Sequence, residues 1–232
     1  MSEIRTYNDL VIYVLRCTYD PHLLVAEACN TTQKRDVNGF LDVGSDRIPK
    51  LIKYLVTANH TSPLEHAVIT VRIEGMSRSL LAQLTRHRMG SFTASSQHYQ
   101  QYEEYSHVIH PDMVTLEGVA DFLKRADNMY NYCIESGIPK EEARQVLPNA
   151  KAVNLMWTVN ARSLVNFFNQ RLCRRNVKEM LQFAIQLHTT CYEWFPELFK
   201  HVGPDCEMLG GCTQGHMKAN YCKENDVPNF SQ

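Results

Sequence analysis

Apolar positions recur along this chain with two periods, and the periods mark its elements. Ile48, Leu51, Ile52 and Leu55 fall three or four apart, so residues 48–58 read as a helix with one buried face. Ile69, Val71 and Ile73 instead alternate with polar neighbours, so residues 67–74 read as a half-buried strand. Residues 9–17 are a short apolar run consistent with a buried strand, and residues 22–30 read as a helix ahead of a polar stretch at 31–46. Leu80, Leu81 and Leu84 predict a helix over 76–85. Beyond a loop at 111–117, a helix is expected from Val119 to Ser136, stopped by Gly137; Pro139 then starts a short helix at Lys140–Leu147, which Pro148 closes. Residues 162–176 and 177–195 predict two more helices, the second buried through Met180, Phe183, Ala184, Leu187 and Cys191. Strands are expected only in the first half. The expected class is α+β, a small and mostly antiparallel sheet with helices packed on it and a helix-rich C-terminal half.

Composition narrows the function more than the fold. The 232 residues suffice for one well-buried domain, expected over 1–200 with a Cys-containing tail at 201–232. A net charge of −1 supplies no overall field to attract nucleic acid, so any anion must be bound locally. No apolar run is long enough for a membrane span, and the polar Met1–Asp9 segment is no export leader, so a cytoplasmic protein is expected. Eight cysteines then suggest thiols or a metal site before disulfides.

Four clusters set polar side chains among apolar ones. His60-Thr-Ser62-Pro-Leu-Glu65-His66 precedes the alternating strand, and a turn on Ser62-Pro63 would by itself account for it. Gln83 shares a helix face with Arg86, which begins Arg86-His87-Arg88; Ser96 and Gln97-His98-Tyr99 follow. A basic helix end can be simple capping, because the helix dipole favours cations there. Arg144 sits on the short helix ending at Leu147-Pro148. Arg162, Asn166 and Asn169 share one face of a helix whose other face carries Leu164, Phe167 and Phe168, and Arg171 follows. Planar forks of donors suit phosphates and heterocycle edges, although no glycine-rich phosphate loop is present.

Through His60-x-Ser-x-x-Glu65-His66, Arg86-His-Arg-x7-Ser96, Arg144-x-x-Leu-Pro148 and Asn160-x-Arg162-x3-Asn166-x4-Arg171, the chain resembles the flavin-dependent thymidylate synthase family over roughly residues 10–200. The resemblance implies a methyltransferase assembled as a homotetramer, with active sites where subunits meet. It implies FAD as cofactor, with NADPH and 5,10-methylenetetrahydrofolate as cosubstrates, and dUMP or a related pyrimidine nucleotide as substrate. The implied reaction is reductive methylation at uracil C5, giving dTMP. By position, His60, Ser62, Arg86, His87, Arg88, Asn160, Arg162 and Asn166 would bind FAD. Gln83, Ser96, Gln97, His98, Arg144 and Arg171 would hold the nucleotide, with Arg144 on its phosphate and Arg171 near its ring. Arg171, Ser96 and Glu65 are the catalytic candidates; Ser96 is taken as a binding group, since no base pattern adjoins it.

Ala94 stands where the family often has an acidic residue or glutamine, His98-Tyr99 where it usually has Arg-Tyr, and Arg175 where some relatives carry histidine. A histidine is neutral for much of the time near pH 7, hence a weaker phosphate partner than arginine. UMP as substrate, or C5 methylation or hydroxymethylation of another pyrimidine nucleotide, is therefore the alternative. Cys206, Cys212, His216 and Cys222 are a possible tetrahedral ligand set without the close Cys-x-x-Cys pair; tail thiols, with no metal, are the expectation. A nucleic-acid-binding protein using Arg171, Arg174 and Arg175 is disfavoured by the near-neutral charge and the lack of interleaved aromatics.

Overall fold

A computed structural model of the chain describes residues 3–32, 47–96 and 106–212. Its strands are β1 (Glu3–Thr6), β2 (Val11–Cys17), β3 (Val68–Ser77), β4 (Ser91–Ala94), β5 (Ser106–Ile109) and β6 (Ala152–Asn160). Its helices are α1 (Pro21–Thr32), α2 (Ile48–Thr57), α3 (Arg78–Leu84), α4 (Val119–Glu135), α5 (Lys140–Ala143), α6 (Ala161–Arg171), α7 (Lys178–Trp194), α8 (Pro196–Phe199) and α9 (Asp205–Met208). Four strands form one sheet in the order β2-β3-β6-β4. Thr70 bonds Thr158 through their hydroxyls (3.0 Å), and Gly75 N–H donates to the Asn154 side-chain oxygen (3.3 Å). Numbers that rise on β3 fall on β6, which makes the pair antiparallel. At Gly75 the backbone takes φ +72°, a conformation that glycine adopts at no steric cost.

The chain divides into two interleaved units. The first is residues 1–13, 72–88 and 92–157; the second is residues 14–71, 89–91 and 158–232. In the first, β1 and β5 pair in parallel, Glu3 opposite Ser106 and Thr6 opposite Ile109, a departure from the antiparallel pattern. Phe92 stacks on the buried Trp157 with ring centroids 5.5 Å apart. In the second, α6 buries Leu164, Phe167 and Phe168 against α7, which contributes Met180, Phe183, Leu187 and Cys191. Edge-on aromatic contacts join Phe168 to His188 and Phe199.

Several expectations need correction. Strands are not confined to the first half: β6 lies in the second, with Val153, Leu155, Trp157 and Val159 buried in strict alternation. The helix expected over 76–85 begins only at Arg78, because β3 runs on through Ser77. The Ser77 hydroxyl then caps α3 by accepting from Leu80 N–H (3.0 Å). The short helix at 140–147 is one α turn followed by a 3-10 turn at Arg144–Val146. The helix expected to reach Asn176 stops at Arg171. The cysteine-bearing segment starts packed, since Val202, Gly203 and Pro204 are buried. Among the described residues no helix is long and apolar enough to cross a membrane.

Candidate functional site

In the second unit the site starts from a helix end. Asn59 takes the left-handed conformation after α2, its N–H donating to the Val56 carbonyl (3.3 Å) while His60 N–H reaches back to Leu55 (2.9 Å). This double closure satisfies carbonyls at the helix end and fixes where His60 leaves it. His60 rests against the Tyr54 ring, 5.6 Å between centroids. A 3-10 turn at Ser62–His66 follows, anchored by buried Pro63 and Leu64, so that Ser62, Glu65 and His66 face outward.

That turn is tied to α6. Ala161 N–H donates to the Ala67 carbonyl (2.7 Å), and the Asn160 side-chain oxygen caps α6 by accepting from Ser163 N–H (2.9 Å). The Arg162 guanidinium, on the first turn of α6, donates to the Glu65 carboxylate across 97 positions of sequence. Further along the same face, Asn166 accepts from Gln170 (3.2 Å). The Asn169 amide nitrogen, oriented as its neighbours require, donates to the carbonyls of Gly203 (2.8 Å) and Val165 (3.2 Å).

Arg162, Asn166 and Asn169 form one wall of a cavity of about 360 Å³, completed by Asn59, Thr61, Met89, Ser163 and Val165. Ligand pockets run from roughly 300 to 1,000 Å³, so it can take part of a large cofactor. One guanidinium, three amides and two hydroxyls face two apolar side chains there. Glu65 lowers the net charge of Arg162, leaving a directional fork suited to a heterocycle edge or ribose more than to a phosphate.

Arg171 stands apart, about 14 Å along the axis from Arg162 by helical rise. Its Nη1 donates to the Asn176 side-chain oxygen (3.0 Å). Sequence reasoning missed Asn59, Thr61, Met89, Ser163 and Asn176. Asn59 alone carried a signal, as a residue tolerant of positive φ right after an amphipathic helix.

The first unit holds the other candidates. Past Leu84 the backbone tightens, Arg86 N–H reaching Gln83 (3.3 Å) and His87 N–H reaching Leu84 (3.0 Å). Arg86 and Arg88 are thereby exposed, with His87 and Gln83 half-buried. Ser96 is half-buried just after β4, and Arg144 donates through Nε to the Glu141 carbonyl (2.9 Å). Gln97 and His98 lie outside the described residues, as do His216 and Cys222. Among the described residues no group of three or more His, Cys, Asp or Glu side chains is arranged to hold a metal ion.

The family model described as "Thymidylate synthase complementing protein" matches residues 4–197. A flavin-dependent thymidylate synthase of Clostridium tetani is 31% identical over 203 residues, 79% of this chain and 81% of the relative. The chain belongs to the flavin-dependent thymidylate synthase family. Namesake enzymes of Sulfolobus acidocaldarius (37% identical, 80% of this chain and 70% of the relative) and Geobacter sulfurreducens (32%, covering 92% and 95%) agree. The fold is that of a UMP/dUMP methylase, PolB from Streptomyces cacaoi, solved with 5-Br dUMP: TM-score 0.74 at 22% identity, over 86% of this chain and 96% of that one. Membership makes the chain a flavin-dependent methyltransferase of nucleotide biosynthesis, with FAD as cofactor and NADPH and methylenetetrahydrofolate as cosubstrates. The cavity wall of Arg162, Asn166 and Asn169 suits such a dinucleotide in donor type.

Proposed function

We propose that this chain carries out the reductive methylation of dUMP to dTMP, as a cytoplasmic homotetramer with one catalytic domain over residues 1–200. The observation that carries it is the Glu65–Arg162 pair, which ties the His60–His66 motif to the α6 stripe beside a cavity that Thr61 of the motif and Arg162, Asn166 and Asn169 of the stripe line. FAD, when bound, supplies hydride to the pyrimidine. The residues' own work is to bind, orient and exclude water.

Arg86, His87, Arg88, His60, Ser62, Arg162 and Asn166 hold the cofactor, and Asn160 contributes by capping α6. The exposed Arg86 and Arg88 supply the net positive charge that its phosphates need, which the Arg162–Glu65 pair supplies poorly. Glu65 acts through Arg162 and is a positioning residue. Gln83, Ser96, Gln97, His98 and Arg144 hold the nucleotide, and Arg171 faces its ring. Ala94 and His98, together with the UMP/dUMP methylase of the same fold, make UMP the second nucleotide to test.

The test is tritium release from C5-labelled dUMP with methylenetetrahydrofolate and NADPH, alongside UMP. The expected result is a yellow protein, bleached by NADPH under anaerobic conditions faster when dUMP is present, and releasing tritium. A colourless protein that takes up no FAD would overturn the proposal; release from UMP alone would replace the substrate.

A further inference from the structure

Thr61 opens the 3-10 turn of Ser62–His66, the position from which a threonine hydroxyl ordinarily accepts from a backbone N–H two or three residues on. Neither donor is available here. Pro63 has no N–H, and the Leu64 N–H is taken by the Thr61 carbonyl (3.1 Å). The Thr61 backbone is helical (φ −86°, ψ −1°) instead of extended, and its side chain makes no cap. Among the described residues the hydroxyl has no hydrogen-bond partner, although Thr61 is only 8% exposed and lines the cavity of about 360 Å³. A buried hydroxyl left unpaired is costly to the folded chain. One beside a cavity recovers that cost when a ligand pairs with it.

Asn169 lines the same cavity and narrows what that ligand group can be. Its amide nitrogen is committed to the carbonyls of Gly203 (2.8 Å) and Val165 (3.2 Å), so what it offers a ligand is its oxygen. A phosphate brings only acceptors and gains nothing from that oxygen. A sugar hydroxyl both donates and accepts, so neighbouring hydroxyls can give to Asn169 and pair with Thr61 in either sense. We propose that Thr61 is a cofactor-binding residue whose hydroxyl pairs with a sugar hydroxyl of FAD, in a neutral subsite that Asn169 shares as acceptor. This rests on the reading that the cavity holds the cofactor.

The experiment compares T61V, T61S and R162Q with wild type in the full chain, reading the dissociation constant of FAD by flavin fluorescence and the thermal midpoint of the FAD-free protein. T61V keeps the side-chain shape and deletes the hydroxyl, so it should weaken FAD by about threefold to tenfold, the range for one neutral hydrogen bond. The midpoint of the FAD-free chain should stay level or rise, because the hydroxyl it loses has no partner there. T61S keeps the hydroxyl and should hold FAD affinity within about twofold, even where loss of the methyl lowers the midpoint. FMN and ADP, titrated separately, locate the partner: the ribityl chain if T61V weakens FMN, the ribose if it weakens ADP. Weaker FAD binding with neither fragment affected would overturn the sugar assignment. If neither R162Q nor T61V alters FAD affinity, the cofactor lies outside the cavity and both readings fall. If R162Q weakens FAD and T61V does not, the cavity reading stands and the role of Thr61 is wrong. A T61V chain that fails to fold, or loses FAD only along with its own stability, would make the hydroxyl structural and would also overturn the proposal.

Discussion

Replacing Lys151 by methionine should remove a rise in stability that the wild-type chain shows between neutral and alkaline pH. Lys151 is 1% exposed, and its backbone is fixed on two sides, by a bridge to His107 on β5 and by Arg78 N–H donating to its carbonyl (3.1 Å). The ammonium therefore cannot reach water and sits 3.9 Å from the Asp127 carboxylate of α4, which also lies 3.3 Å from His107 Nε2. Burial pushes its pKa down from 10.5 to about 8, with Asp127 pulling it partly back. At about 1.4 kcal/mol per pKa unit, this drop amounts to about 3 kcal/mol of unfavourable free energy at neutral pH. Between pH 8 and 10.5 the unfolded chain holds a proton that the folded chain has released, so stability rises with pH through that window. Integrated from pH 7 to 9.5, the gain is about 2 kcal/mol. Guanidinium denaturation of wild type and K151M at matched ionic strength measures it, because other groups titrating in this range cancel in the difference. The loss of the cation beside Asp127 enters as an offset, and the slope against pH is the measured quantity. Parallel stability curves for the two proteins would refute the reasoning and mean that Lys151 stays protonated where it lies.

Three other outcomes are expected. Glu65→Gln should leave the thermal midpoint within a degree or two, since an exposed ion pair contributes under about 1 kcal/mol, yet weaken FAD binding several-fold in flavin-fluorescence titrations; unchanged affinity would remove Glu65 from the site. Asn160→Ala should cost about 1 kcal/mol as a lost helix cap, and Asn160→Ser should restore stability and FAD affinity together; affinity that stays low in the serine variant would mean that the amide itself touches the cofactor. His188, buried against Phe168 and donating through Nε2 to the Val202 carbonyl (2.8 Å), has its pKa lowered, mainly by burial. On acidification the unfolded chain takes up a proton from about pH 6.5, before the folded chain does, so stability should fall from there downward; H188Q should flatten that acid limb in denaturation curves, and an unchanged limb would assign it to other groups.

What the sequence disclosed and what it withheld divide along a physical line. The helix faces at 48–58 and 177–195 and the strand at 67–74 were legible because burial of one face imposes a local period. The alternation of Val153, Leu155, Trp157 and Val159 is equally local, but it runs straight into the Asn160 cap of α6, so strand and helix periods merge there in one polar-studded segment. The pairing of β1 with β5 had no such signal: two four-residue strands about a hundred positions apart carry too little pattern to announce a partner. The site divides in the same way. Glu65, Arg162, Arg171 and Asn166 could be named as residue types suited to a flavin and a nucleotide, but which acceptor faces which guanidinium depends on one long-range closure and one local fold-back. Ala161 tied to Ala67 delivers Glu65 to Arg162, whereas the early end of α6 at Arg171 folds Asn176 back onto the helix end. One arginine thus meets a carboxylate and the other an amide. Two side chains that look alike in the sequence are thereby set apart by their surroundings, Arg162 on the cavity wall beside Glu65 and Arg171 at the helix end beside Asn176.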